Sequence, residues 1–331
     1  HLPVALTPED LKAGEVEVAI MGAELIGVMR ARTWGPMEMR NPHLSEVYHI
    51  WGSWSMPEVD TGRNPLLEMT VVDYGDAPME PFSLEKTIPE VRKYVRQIAN
   101  TKLKNGKHTI PIIIGGGHAL MYPDVAGIVD VYGKGKVGII HFDAHQDSAP
   151  TGFGHLITHG NPVRALIRDG LVPGKNIIRI GLRGPTSTDM ETLMEARKAG
   201  IRYHTTAEIE RRGWSAVMED AIKEATEGVE YLFISFDVDV MDPAFIPGTS
   251  TPEPGGLYMR EVMPMMRRLC AEANVVGIEI VELRPDSDPG YTSVQNAKAI
   301  LRQCLNGLAL KKAGITENGY LNPASVDDGK N

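Results

Sequence analysis

The sequence predicts an α/β fold with three layers, α/β/α, built around a central, mostly parallel sheet of about eight strands. Two observations carry this. Short runs rich in Val and Ile are continuously apolar instead of alternating, the pattern of strands buried on both faces. The segments between most of them have helical spacing. A third observation sets the domain count: no composition break, linker or internal repeat divides the 331 residues, so residues 1–331 read as one domain.

In chain order the strand candidates are VEVAIMG (16–22), MTVVD (69–73), TIPIII (109–114), KVGIIHFD (136–143), NIIRIG (176–181), GIRYH (200–204), YLFISFD (231–237) and VVGIEIVE (275–282). Between the second and third, Ile88, Val91, Tyr94, Val95 and Ile98 share one helical face. After the last, Val294, Ala297, Leu301, Cys304, Leu305 and Leu308 do the same. Residues 23–67, with GPMEMRNPHL and IWGSWSMPEVDTGRNP, read as an irregular surface or assembly segment. The polar tail over 316–331 is expected to fray.

A formal net charge of −9 and 42% hydrophobic residues describe a globular chain without the clustered Lys and Arg that nucleic acid requires. No run approaches the ~20 apolar residues of a membrane span, and HLPVALTPED has no secretory leader pattern, so a cytoplasmic enzyme is expected. Cys270 and Cys304 sit in helix-like stretches and read as buried small side chains.

Open parallel sheets bind ligands at the carboxyl ends of their strands. There the chain places His118 in GGGHAL, Asp143, His145 and Asp147 in FDAHQD, Asp237, Asp239 and Asp242 in FDVDVMDP, and Glu282 in VELRPDSD. The alternate spacing of Asp143, His145 and Asp147 sends three side chains to one face of extended backbone. A polar cap accounts for one aspartate but not for the histidine. So many carboxylates on one edge would repel and desolvate one another at a cost of several kcal/mol without cations. Four carboxylates and two neutral imidazoles approach neutrality with two divalent ions and a bridging hydroxide. Oxygen-rich ligation without thiolate suits Mn2+, with Ni2+ as the alternative.

Together GGGHAL, DAHQD and SFDVDVMDPAFIPGTSTPEPGG resemble the motifs of the ureohydrolases, the arginase, agmatinase and guanidino-acid hydrolase superfamily. VVDYGDAP (71–78), THGNPVRALIRDGLV (158–172) and GLRG (181–184) extend the resemblance along the chain, the second on the agmatinase side. The resemblance implies an arginase-like fold and two ions per chain: one on His118, Asp143, Asp147 and Asp237, the other on His145, Asp143, Asp237 and Asp239, with Asp143 and Asp237 shared. It implies attack of a metal-bridging hydroxide on a guanidinium carbon, releasing urea or a urea analogue and an amine. Glu282 would orient the guanidinium, since a planar fork of donors matches a carboxylate. His159 would hand a proton to the departing amine. Asp147, Glu282 and His159 are thus the expected catalytic residues, with His155 and Thr158 as substrate contacts in the neighbouring loop. His141 is expected to pack or to support a ligand. Trimers or hexamers, of one chain or with a related second subunit, also follow from the resemblance.

Gly117 and Ala119 stand where relatives usually carry Asp and Ser beside the ligand histidine. The loop SAPTGFGHLIT (148–158) offers neither an acid for an ammonium tail nor Arg or Lys for a carboxylate tail. The loop favours a small or apolar-tailed guanidine or biguanide, such as guanidine, an alkylguanidine or dimethylbiguanide (metformin), while the agmatinase-side resemblance implies an agmatine-like substrate. The alternative is a noncatalytic subunit that supports an active partner. The filled ligand positions, Glu282 and His159 argue against it.

Overall fold

The computed structural model describes residues 2–25, 34–41, 56–80, 83–150, 154–185 and 190–326. Each of the eight apolar runs becomes a strand: β1 (Val18–Ala23), β2 (Val71–Asp76), β3 (Ile110–Gly115), β4 (Val137–Phe142), β5 (Ile177–Ile180), β6 (Arg202–His204), β7 (Tyr231–Asp237) and β8 (Val275–Val281). They form one sheet in the order β2-β1-β3-β8-β7-β4-β5-β6. Every neighbouring pair is parallel, so the sheet is wholly and not merely mostly parallel.

Strand burial explains the continuous apolar runs. Along β4, Val137 and Ile139 belong to a core on one face, while Ile140 and Phe142 belong to a core on the other. The first core is roofed by the helices α4 (Leu84–Ala99), α5 (Met121–Tyr132), α6 (Pro162–Arg168) and α7 (Met190–Lys198). The second lies under α9 (Trp214–Ala225), α10 (Met259–Glu272) and α11 (Thr292–Lys312). The short helix α8 (Thr206–Arg212) adds Ile209 to that second core. In α4 the predicted face is present, with Val91, Val95 and Ile98 fully buried. In α11 burial runs right round the helix, taking in Lys298, Arg302 and Asn306 as well as the apolar stripe. Cys270 and Cys304 are buried and free.

Two parts differ from expectation. The stretch read as irregular contains the short helices α2 (Gly35–Arg40) and α3 (Pro65–Glu68), which follow α1 (Pro8–Ala13) in the chain. Asn64 starts α3 by accepting from the Leu66 N–H at 3.1 Å, a cap that a search for apolar periodicity passes over. Much of the remainder of 23–67 lies outside the described residues. The polar tail is tied down as far as a 3₁₀ turn at Pro323–Ser325, through an Asn322 N–H donated to the Asp60 carbonyl at 2.7 Å. Among the described residues no helix is long and apolar enough to cross a membrane.

The strand order places the site. Chain-consecutive β3 and β4 are separated by β8 and β7, so the carboxyl ends of β3, β8, β7 and β4 form one contiguous edge at the middle of the sheet. The four motifs far apart in sequence follow these four strands, at the place where ligands bind in such sheets.

Candidate metal and active site

His118 follows β3 at the start of a 3₁₀ turn and is buried. Its Nδ1 lies 2.9 Å from Asp147 Oδ2, 3.1 Å from Asp237 Oδ2 and 3.3 Å from Asp143 Oδ2. Across Asp143, the His145 Nδ1 lies 2.9 Å from Asp239 Oδ2 and 3.5 Å from Asp143 Oδ1. All six ligand candidates are thus gathered as two imidazoles, each facing its own carboxylates, with Asp143 between them. Asp143 and Asp237 each also accept a local backbone N–H on Oδ1, from His145 at 2.5 Å and from Asp239 at 2.9 Å.

The donor set fits cations. His118 Nδ1 and Asp143 Oδ2 are buried and, despite these short separations, meet no partner in hydrogen-bonding geometry. Their lone pairs converge on shared space instead of on one another, as ligands of a common ion do. His118, His141, Asp143 and Asp147 each offer an atom within 4.8 Å of the others, as do Asp143, His145 and Asp239.

Electrostatics agree. Burial alone would lower the pKa of His118, but Asp147, Asp143 and Asp237 raise it well above the ordinary range. Burial also opposes protonation of His145, yet hydrogen bonds to Asp143 and Asp239 push it up to about 12. Burial, then the charges of Asp239 and Asp143, push Asp237 well above the usual carboxylate range. Such a cluster holds protons where it lacks cations, and divalent ions would replace them.

Backbone geometry serves the same end. Asp147 and Glu282 both adopt left-handed conformations, with φ of +45° and +61°. Non-glycine residues held in that region cluster at functional sites. Glu282 is anchored at both ends: its N–H donates to the Gly116 carbonyl at 2.8 Å, and its Oε1 accepts the His118 N–H at 2.7 Å. Burial raises its pKa to about 7 against that hydrogen bond.

The loop residues are placed less centrally. Thr158 is buried, with its N–H donated to Asn161 Oδ1 at 2.7 Å, and the loop is closed at its base by the Ala149 N–H on the Gly160 carbonyl at 2.9 Å. His159 follows, partly exposed, ahead of α6. His155 is not brought to the cluster; its Nδ1 pairs with Glu85 Oε1 at 2.6 Å. Residues 151–153 of this loop lie outside the described residues. Asp242 also stays apart, accepting the N–H groups of Ala244, Gly255 and Gly256 at 3.0, 2.9 and 3.2 Å to fold the loop after β7. Gly256 is required there, because a Cβ would sit 2.4 Å from the Asp242 nitrogen.

The arginase family model matches residues 18–306. The chain belongs to the arginase family. It is 33% identical over 260 residues to a guanidinopropionase of Pseudomonas aeruginosa, covering 77% of this chain and 74% of that protein. A guanidinobutyrase of the same organism is 31% identical over 305 residues, covering 91% and 88%. Among solved structures, the proclavaminate amidino hydrolase from Streptomyces clavuligerus matches with a TM-score of 0.78 at 27% identity, covering 94% of this chain and 96% of that one. As an arginase-family protein the chain is a hydrolase of the amidinohydrolase class.

Within this arginase-family site some contributors escape sequence reading. Arg183 donates to the carbonyls of Asp239 (2.8 Å), Val240 (3.0 Å), Met241 (3.1 Å) and Glu253 (2.6 Å), binding the turn after β7 to the PGTSTPEPGG loop. Glu253 approaches His145 Nε2 at 3.9 Å, and Thr251 Oγ1 donates to Asp239 Oδ2 at 3.1 Å. An acid therefore does reach the site, from a loop other than 148–158. The GLRG motif was the sole sequence signal for Arg183; Glu253 had none beyond membership of its loop.

Proposed function

We propose that the protein is a dinuclear metal-dependent hydrolase that cleaves a guanidine-type C–N bond. The observation that carries this reading is the division of Asp143 between two imidazole-carboxylate groups. One ion would be held by His118, Asp143, Asp147 and Asp237, the other by His145, Asp143, Asp237 and Asp239, with Mn2+ first and Ni2+ as the alternative. Divalent ions held there would supply a hydroxide-like nucleophile at neutral pH by lowering the pKa of bound water.

The remaining work falls to side chains of this chain. Glu282, its carboxylate pinned by the His118 N–H, pairs with the planar guanidinium and fixes its orientation. His159, at the partly exposed base of the 148–160 loop, delivers a proton to the departing amine. Thr158 shapes the loop beside it. His155, expected from the sequence as a substrate contact, is paired with Glu85 instead and is given no role in this reading.

The substrate class that fits is a small guanidino compound: agmatine-like, guanidine itself, an alkylguanidine or dimethylbiguanide. The guanidinopropionase and guanidinobutyrase relatives support guanidine chemistry and leave the tail open. Assembly as a trimer or hexamer belongs to the same reading.

The test is a panel. Protein reconstituted with Mn2+ or Ni2+ is given agmatine, guanidinobutyrate, guanidine and dimethylbiguanide, and urea and amine release are followed. Turnover of one compound that chelation abolishes is expected. Two ions bound per chain with none of the four cleaved would overturn the substrate class.

A further inference from the structure

Five adjacent strands place polar residues in one transverse row. Strand register pairs Glu279 with Ser235, Ser235 with His141, His141 with Arg179, and Arg179 with Tyr203, across β8, β7, β4, β5 and β6. Register partners in a parallel sheet project from the same face, here the face covered by α4 to α7. Glu279, Ser235, His141 and Arg179 are each 0% exposed. Two residues on from His141 and Ser235 stand Asp143, just past the end of β4, and Asp237, the last residue of β7. The row is thus the layer directly beneath the candidate ligands.

Its members touch those ligands from behind. Ser235 Oγ lies 3.0 Å from His118 Nε2, the ring nitrogen opposite the one facing the carboxylates, and Glu279 Oε1 lies 3.8 Å from the same atom. His141 Nε2 lies 2.8 Å from Asp143 Oδ2. At one end Asp124 of α5, also 0% exposed, meets Glu279; burial, then the Glu279 charge, pushes it well above the usual carboxylate range. At the other end the Arg179 guanidinium packs 5.6 Å from the centre of the Tyr203 ring. A carboxylate, an imidazole and a guanidinium placed in mid-strand, where Val or Ile would pack at no electrostatic cost, call for a function.

We propose that the row Glu279-Ser235-His141-Arg179, capped by Asp124, is a positioning layer that fixes His118 and Asp143 in ion-ligating poses. This rests on the dinuclear reading above. Ser235 accepts the His118 Nε2 hydrogen, and Glu279 sets its carboxylate 3.8 Å behind the same atom, which keeps the hydrogen on Nε2 and leaves the Nδ1 lone pair for the ion. His141, backed by the Arg179 charge, fills the space behind the oxygen that Asp143 turns toward His118, its Nε2 2.8 Å away. None of these residues touches substrate.

The test is ion binding. Ser235→Ala and Glu279→Gln, singly and together, are compared with wild type in Mn2+ isotherms and by metal content per chain, with the Tm of the ion-free protein as the folding control. Each single variant should keep that Tm, retain one ion at wild-type affinity and bind the other roughly 10- to 100-fold more weakly. Because the two residues act on one atom, His118 Nε2, the double variant should lose less than the sum of the two singles. Ser235→Ala removes one oxygen, so it carries the test if Glu279→Gln fails to fold. Two ions held at wild-type affinity in both variants would overturn the layer. The dinuclear reading fails separately: wild type that holds two ions yet cleaves no guanidino compound sinks the reaction and leaves the layer standing. Wild type that binds no ion sinks both.

Discussion

Asp143 faces His118 Nδ1 with one carboxylate oxygen at 3.3 Å and His145 Nδ1 with the other at 3.5 Å. One side chain therefore joins the two halves of the site, and its loss should be felt by both. Asp143→Ala is expected to weaken both ions by more than the roughly 100-fold typical of losing an outer partner, and to take activity to the detection floor. Metal content per chain and turnover are the readouts. Two retained ions with full activity would remove Asp143 from the centre.

This site was legible in part because its ligands follow local rules. In sequence Asp143, His145 and Asp147 alternate after β4 and Asp237 and Asp239 alternate after β7, which marks them as one group, although the backbone turns there and does not stay extended: Asp147 is left-handed at φ +45° and Asp239 lies in the 3₁₀ turn Val238–Val240. Strand positions were legible for a related reason: runs such as VGIIHF and LFISF are buried on both faces and apolar at all but one position each, His141 and Ser235. Ser235, Glu279 and Arg179 were invisible by the same logic. Each is a single polar residue inside an apolar run, and its meaning arises only when β8, β7, β4, β5 and β6 lie side by side in an order the chain does not follow. His155 shows the opposite limit. It sits four residues from His159 in sequence, yet a distant acid, Glu85, takes its ring.

Glu282 should give the enzyme an acidic limb. Burial holds its carboxyl group at about 7, above the ordinary 4.5, and only the ionised form attracts a guanidinium. Hence kcat/KM for a cationic guanidine should climb and then level off as pH rises through the Glu282 pKa, which two bound cations would hold below its ion-free value of about 7. Glu282→Gln should abolish that inflection and lower kcat/KM by roughly 10- to 100-fold, the scale of a charged hydrogen bond. A pH profile unchanged by the substitution would reject the role. Stability carries the opposite sign. Between about 4.5 and 7 the folded protein keeps a proton that the unfolded chain has lost, so this group's contribution to unfolding free energy falls as pH rises.

Ion binding should release protons. In the ion-free protein the carboxylates hold His118 protonated well above 6.5, and His145 up to about 12. A divalent ion needs the neutral rings, so Mn2+ affinity should strengthen steadily from pH 6 to pH 9. The sign for the ion-free fold is the reverse: a raised histidine pKa contributes stability fully below 6.5, and that contribution is lost as pH climbs through about 12. At neutral pH, Mn2+ at 100 times its Kd should add about 2.7 kcal/mol per site, read as a Tm rise that chelator reverses. Isotherms independent of pH would contradict the proton count.

His159→Ala separates proton delivery from binding. If the ring protonates the departing amine, kcat should fall by roughly 100- to 10,000-fold while KM and metal content stay put, and added imidazole should restore part of the rate. An equal loss in kcat and metal content would instead make His159 part of the scaffold.

Gly117 tests why this chain departs from the usual aspartate of the ureohydrolases. Its backbone, at φ −67° and ψ 150°, accepts any residue, and an added Cβ would meet Glu282 Oε1 at 3.5 Å, an ordinary contact. Gly117→Asp should therefore fold. The new carboxylate would lie against Glu282, and a like charge at that range raises a pKa already lifted by burial. The inflection in kcat/KM should move to higher pH. At low pH the variant should bind monocationic guanidines more weakly than wild type does. A dicationic substrate such as agmatine should suffer less, because the added charge gives its second cation a partner. Should the inflection stay in place while agmatine and guanidine change in equal proportion, Gly117 acts on space and not on charge.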